Sequence, residues 1–169
     1  MAATLRPIGL SDLEQLWRLD QDPEVMRHIT GGQPSSPALS AALLQRMLAA
    51  ATRPGLGFFA VEEDGLFCGW MHLRSDRFEP AWAELGYRLQ RRCWGRGLAT
   101  TLGRELMDRA FGELNYSTVS ARTVAENAAS RRVMEKLGMH FAGDFSFPEG
   151  SLGGTSLPSL PGVLYLRHR

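Results

Sequence analysis

The sequence predicts a mixed α/β domain with an antiparallel meander at its centre, on three observations. Two apolar runs, at 57–61 and 66–73, flank Asp64-Gly65, a dipeptide that readily closes a tight hairpin. A third strand-like run, 81–89, follows with no helix before it, so the sheet is not regularly doubly wound. Beyond it, Leu98, Leu102, Leu106 and Ala110 recur every fourth residue, the spacing that lines one face of a helix.

Taken in order, Thr4-Leu5-Arg6-Pro7 reads as a short strand stopped by proline. Ser11-Asp12-Leu13-Glu14 has the form of a capping box, with Ser11 as N-cap and Glu14 three residues on. Leu13, Leu16, Trp17 and Leu19 give the helix that follows its apolar stripe. Asp22-Pro23-Glu24 restarts a short helical segment through His28, and 31–37 is a loop. The alanine- and leucine-rich stretch 38–51 predicts a second helix, ending before Pro54-Gly55. After the three-strand block come a glycine-punctuated loop at 92–97 and an amphipathic helix at 98–114. Residues 118–123 are β-branched and alternating, a strand. Helix 127–137 turns Val133 and Leu137 inward and is closed by Gly138. Strand 139–145, a Gly/Pro/Ser loop at 146–162 and a last strand at 163–166 complete the chain. The order is β-α-α-β-β-β-α-β-α-β-β, with no internal repeat and no linker to divide it, so 1–169 reads as a single domain.

Composition narrows the function classes. The 169 residues are 44% hydrophobic and 22% charged, ordinary for a soluble globular protein. A formal charge of +1 creates no field that recruits nucleic acid or a membrane. No run approaches the roughly eighteen apolar residues that span a bilayer, and the N-terminus lacks the apolar core of a signal peptide. Cys68 and Cys93 form no Cys-x-x-Cys pair, so no disulfide framework is expected. The expected location is the cytoplasm. His28, His72, His140 and His168 are scattered without metal-ligand spacing, so no metal is expected. Lys136 is the only lysine and follows Glu135, which excludes a Gly-Lys-Ser/Thr phosphate loop. The arginine bias itself reads as codon usage of a GC-rich genome.

The informative feature is the loop Arg92-Cys93-Trp94-Gly95-Arg96-Gly97 between a strand and a helix. Glycine lets the backbone approach a bulky anion and turn its N–H groups inward. Those groups stand at a helix N-terminus, where unpaired donors and the helix dipole favour phosphate. The unit is a plausible pyrophosphate cradle. It is not the Gly-x-Gly-x-x-Gly dinucleotide fingerprint, because position 100 is threonine.

Arg92-x-x-Gly95-x-Gly97 resembles the signature of GNAT N-acetyltransferases. Glu84-Leu85-Gly86-Tyr87, the stretch Trp94 to Thr100 and the stretch Glu126 to Gly138 resemble the branch that acetylates ribosomal-protein N-termini. Asp22-Pro23-Glu24-Val25-Met26 and Val163-Leu164-Tyr165 extend the likeness over nearly the whole chain. The resemblance implies a GNAT fold, a mixed and mostly antiparallel sheet of six to seven strands flanked by about four helices. It implies acetyl-CoA as cosubstrate, with the backbone around Leu89 and Gln90 pairing with the pantetheine arm. Amides from Arg92 through Ala99, a run that includes Trp94, Gly95, Arg96, Gly97 and Leu98, would hold the pyrophosphate. Asn127 and Ser130 would lie near the thioester, while Arg131, Arg132 or Lys136 reach the nucleotide phosphates or form a solvated helix face.

Acetyl transfer to an amine needs a base to deliver the free amine, whose pKa is about 8 to 10 when unperturbed. Glu84 is the candidate base, desolvated by Trp82, Leu85 and Tyr87, and its competing reading is an ion pair with an arginine. The oxyanion needs a donor, expected from a main-chain N–H near Leu89. The leaving thiolate needs another donor. Many family members have a tyrosine seven residues after the asparagine, but Met134 stands there, so Ser130 is the expected donor, against a reading as helix packing. Thr101 likewise replaces a glutamate common in the branch, and Cys93 reads as packing, since direct transfer needs no nucleophile. The acceptor is a protein N-terminal amine or a small-molecule amine, walled by 31–37 and 146–162, and Glu62-Glu63-Asp64 is the one acidic cluster. The expected assembly is a monomer or homodimer. A non-catalytic acyl-CoA-binding sensor is the alternative reading.

Overall fold

Asp64 and Gly65 both adopt left-handed backbone angles, φ 52° and 75°. A turn of that kind matches the twist of the strands it joins, and it closes β2 (Gly57–Glu63) on β3 (Leu66–Ser75). The computed structural model describes residues 3–150 and 159–169. The remaining strands are β1 (Ala3–Pro7), β4 (Ala83–Leu89), β5 (Thr118–Val124), β6 (His140–Phe147) and β7 (Leu160–His168). They form one sheet in the order β1-β2-β3-β4-β5-β7-β6. Every neighbouring pair is antiparallel except β4 and β5, which run parallel around the connecting helix.

The helices are α1 (Leu13–Leu19), α2 (Pro23–Thr30), α3 (Pro37–Ala49), α4 (Leu98–Phe111) and α5 (Ala128–Lys136). That is one more than expected. Asp22 caps the Glu24 N–H at 3.0 Å and Pro23 occupies the first turn, so α2 starts a helix of its own. The expected capping box at Ser11 and Glu14 does not form. A 3-10 turn precedes α1, and the Asp12 carboxylate takes the Gly9 N–H at 2.8 Å while held by Arg6. Phe147 and Leu160 already belong to strands, so the expected loop at 146–162 is shorter, and its stretch 151–158 lies outside the described residues.

Strand alternation sends odd and even positions of β2–β5 to opposite faces. On one face Phe59, Val61, Met71, Leu73, Leu85, Leu89, Val119 and Ala121 pack under α4 and α5. On the other, Phe58, Ala60 and Trp70 pack under α1 and α3. Gly103 of α4 lies where an added Cβ would come 2.9 Å from Leu137, so the lack of a side chain brings α4 close to α5.

One irregularity positions the site. β4 and β5 pair only at Ala83 with Val119 and at Glu84 with Ser120. Both strands run on to Leu89 and Val124 without pairing to each other, so the sheet opens between their C-terminal halves. Openings at the carboxyl ends of parallel strands are where α/β sheets seat ligands.

A glycine-loop cradle at the opening of the sheet

The cradle is built of main chain. Gly95 and Gly97 sit at φ 71° and 79°, angles that cost other residues strain, and each faces open space where a Cβ would be. Gly97 is the N-cap of α4 and offers no side-chain cap, so the first-turn N–H groups of a fourteen-residue helix are left for an anion. The arginines around the loop are held by the protein. Arg96 makes a two-pronged pair with Glu63 at 2.7 and 2.8 Å, which also holds that carboxyl below its usual range. Arg92 reaches the Phe67 carbonyl and Gln90 Oε1, both at 2.8 Å, and Arg91 pairs with Asp22 at 3.1 Å. Trp94 donates its indole N–H to the Leu89 carbonyl at 2.8 Å, tying the loop back to β4. Leu98 and Ala99 anchor the first turn of α4 in the core. Beside the loop, α1, α2 and the stretch 90–92 line a cleft of about 380 Å³.

Along β4 the hydrogen-bonding sides alternate. The Gln90 N–H goes to Cys68 on β3 at 2.8 Å, so even positions face β3 and the N–H groups of Tyr87 and Leu89 face the opening. Of the expected pair, then, Leu89 points its N–H into the gap and Gln90 does not. Across the gap, Asn127 caps α5 by accepting the Ser130 N–H at 3.2 Å. The Ser130 hydroxyl lies 3.2 Å from the Tyr87 hydroxyl. Burial pushes the Tyr87 phenol above its ordinary value, against the pull of that hydrogen bond. Tyr87 was expected only to desolvate Glu84; its alternation with Leu85 and Leu89, which puts it on the α5 side, was the signal for this contact. Met134 is buried in the core below.

Glu84 has the competing reading's geometry. Leu85 and Tyr87 point to the opposite face and cannot surround it, because successive strand residues alternate. Its Oε2 instead accepts from Arg74 at 2.8 Å, with His72 Nε2 at 3.9 Å. Its Oε1 lies 3.9 Å from Arg122 and accepts no hydrogen bond among the described residues. Arg122, whose guanidinium lies 4.8 and 5.0 Å from the mutually packed rings of Phe78 and Phe145, pairs with Asp76 at 2.6 Å. Burial opposes the Asp76 charge, but Arg122, Ser120 and the Phe78 N–H outweigh it and lower its pKa. His72 packs against Phe58 and Trp70, and among the described residues neither ring nitrogen has a hydrogen-bond partner. Burial, then the charges of Arg74 and Arg77, keep His72 well below its ordinary pKa. None of these partners of Glu84 was singled out from sequence, since each arrives from another strand.

The other expected residues are placed as follows. Arg131 bonds the Tyr165 hydroxyl and the Ala125 carbonyl, both at 3.2 Å, so its guanidinium is engaged within the fold. Arg132 lies in the middle of α5 and Lys136 at its end. Cys93 is buried, and burial with the neighbouring Cys68 pushes its thiol up to about 11, which fits packing rather than nucleophilic attack. The acidic cluster is consumed locally, Glu62 by Arg6 and Glu63 by Arg96. Among the described residues no three His, Cys, Asp or Glu side chains converge as metal ligands, and no helix is long and apolar enough to cross a membrane.

The sequence model of the acetyltransferase (GNAT) domain family matches residues 3–140. The chain is similar to an FsC-acetyl coenzyme A-N(2)-transacetylase of Aspergillus fumigatus, 32% identical over 80% of this chain and 61% of that protein. It therefore spans about three-fifths of that relative's length. Among solved structures, a GNAT-family acetyltransferase from Bacillus anthracis superposes at a TM-score of 0.79, with 21% identity over 99% of this chain and 95% of that one. An aminoglycoside acetyltransferase in complex with coenzyme A superposes at 0.76, with 18% identity over 99% and 95% of the two chains.

Proposed function

The chain belongs to the GNAT acetyltransferase family, and from that premise we propose that it transfers acetyl from acetyl-CoA directly to a primary amine held on the opposite side of the sheet. The observation that carries this reading is the uncapped, glycine-lined start of α4 at the mouth of the β4–β5 opening. Pyrophosphate fits such a start, because backbone N–H groups and the helix dipole attract it without a side chain in the way. The pantetheine arm then runs along β4 toward the Leu89 N–H. That N–H is a donor for the oxyanion that forms at the carbonyl.

Glu84 receives the amine's proton, directly or through a water, at its free Oε1, while Arg74 fixes the other oxygen. The amine nitrogen attacks the thioester carbonyl, the carbon–sulfur bond breaks, and Ser130 donates to the departing thiolate. Acceptor classes that fit the site are a protein N-terminal amine and a small-molecule amine. The relative named as an N(2)-transacetylase supports an amine acceptor, and the neighbour bound to coenzyme A supports the cosubstrate.

Incubation of the protein with acetyl-CoA and a panel of small amines and N-terminal peptides, read as acetyl mass gain and thiol release, tests the reading. Turnover that falls on the order of 100-fold or more in Glu84→Gln, with coenzyme binding intact, supports it. Tight coenzyme binding without turnover across the panel, unchanged in Glu84→Gln, favours the sensor instead.

A further inference from the structure

The leaving thiolate sets a requirement that one aliphatic hydroxyl meets poorly, because a serine hydroxyl is a much weaker acid than a thiol. A phenol, with a pKa of about 10, is closer to the task. Tyr87 and Ser130 approach each other from the two sides of the opening, one from β4 and one from the first turn of α5, with their oxygens 3.2 Å apart. Among the described residues neither hydroxyl has another hydrogen-bond partner. Asn127 takes the main-chain N–H of Ser130, not its hydroxyl, so the cap fixes Ser130 without competing for it. A hydroxyl that accepts from Tyr87 has its own hydrogen free to turn into the gap.

We propose that Tyr87 is a positioning residue that orients the Ser130 hydroxyl so that it hydrogen-bonds the sulfur of coenzyme A and stabilises the departing thiolate. This rests on the acetyl-transfer reading above. As the carbon–sulfur bond breaks, its electron pair goes to sulfur. Sulfur accepts a hydrogen bond from Ser130 Oγ, Oγ accepts one from Tyr87, and the released thiolate takes its proton from solvent. The proton shed by the amine leaves through Glu84, so the sum is amine plus thioester giving amide plus thiol. Two linked hydroxyls polarise each other, which strengthens the terminal hydrogen bond to the thiolate. Burial of the Tyr87 ring keeps the phenol protonated, and therefore a donor, through the alkaline range where the thiol ionises.

The test needs no knowledge of the acceptor. The thiol of bound coenzyme A is titrated by the ultraviolet absorbance of its thiolate, against the complex with desulfo-coenzyme A as background. In the wild type the bound thiol ionises below the ordinary thiol value of about 8.5. Tyr87→Phe and Ser130→Ala each raise that midpoint by roughly one to two pH units, the cost of losing a hydrogen bond to a charge. The double variant goes no further than either single one, because the pair acts as one chain. Ser130→Thr, which keeps the hydroxyl, restores the low midpoint. A wild-type midpoint in Tyr87→Phe, with coenzyme A still bound, overturns the inference. A wild-type protein that binds no coenzyme A overturns the acetyl-transfer reading, and this inference with it.

Discussion

The two sides of the sheet opening are built on opposite principles. The side proposed for the coenzyme is main chain: glycines at positive φ, an uncapped helix start and arginines tied down by Glu63, Asp22 and Phe67. The side proposed for the acceptor is side chain: Arg74 and Arg122 beside Glu84, Asp76 on Arg122, and His72 buried without a hydrogen-bond partner among the described residues. The first is a generic anion seat that tolerates changes of side chain as long as the backbone keeps its path. The second is a charge network in which each member depends on the others, so single changes there should spread.

The sharpest contrast is expected from Asp76. Asp76→Ala leaves Arg122, itself almost fully buried, without its carboxylate, and should cost about 3–5 kcal/mol in denaturant unfolding. The exposed pair of Arg18 and Glu14 supplies the control, where Glu14→Ala should cost no more than about 0.5 kcal/mol. Equal losses at both pairs would remove the distinction between a cooperative network and a surface ion pair.

Gly95→Glu comes next. It adds left-handed strain and sets a carboxylate where the anion sits, and it should weaken acetyl-CoA binding on the order of 100-fold or more by calorimetry. The melting transition should stay close to that of the wild type. Retained binding would mean the phosphates lie elsewhere.

His72 supplies a pH test of the acceptor side. Its folded pKa is lowered, so below the ordinary 6.5 the unfolded chain takes up a proton that the folded one refuses. Stability should therefore fall by up to about 1.4 kcal/mol per pH unit as pH drops from about 7 toward 5, from this group alone. His72→Leu removes that contribution and should flatten the profile, with no loss near neutrality because two unpaired nitrogens go with it. An unchanged slope would place the titration in another group. The smallest effect is expected at Arg96→Ala, which loosens the loop's strut to Glu63 without touching the anion's amides. Coenzyme binding should weaken several-fold, as for a partly exposed charge pair.

The same contrast explains what was legible in the sequence. Asp64-Gly65, the Leu98 to Ala110 stripe and the 92–97 glycines are local signals, and each became the turn, helix and loop it predicts. Asn127 as cap and Gly138 as helix stop are local too. The capping box at Ser11 does not form because Arg6, six residues earlier on β1, holds Asp12 in the competing position, where its carboxylate takes the Gly9 N–H. The sequence offers Glu84 an arginine partner without saying which, since Arg74 and Arg122 reach it only once β3 and β5 flank β4. Tyr87 lies on the face opposite Glu84, as the alternation of strand side chains requires, and so meets Ser130. Backbone sites announce themselves in sequence, whereas side-chain networks appear once the sheet order is known.

The proposed coenzyme site rests the phosphates on main-chain N–H groups at the start of α4. It is tested most directly by following assigned backbone amide resonances while coenzyme A is titrated into the protein. Gly95, Arg96, Gly97, Leu98 and Ala99 should show the largest changes, with the Leu89 amide also responding. Saturable binding that leaves these amides unmoved, with the changes centred elsewhere, would contradict it.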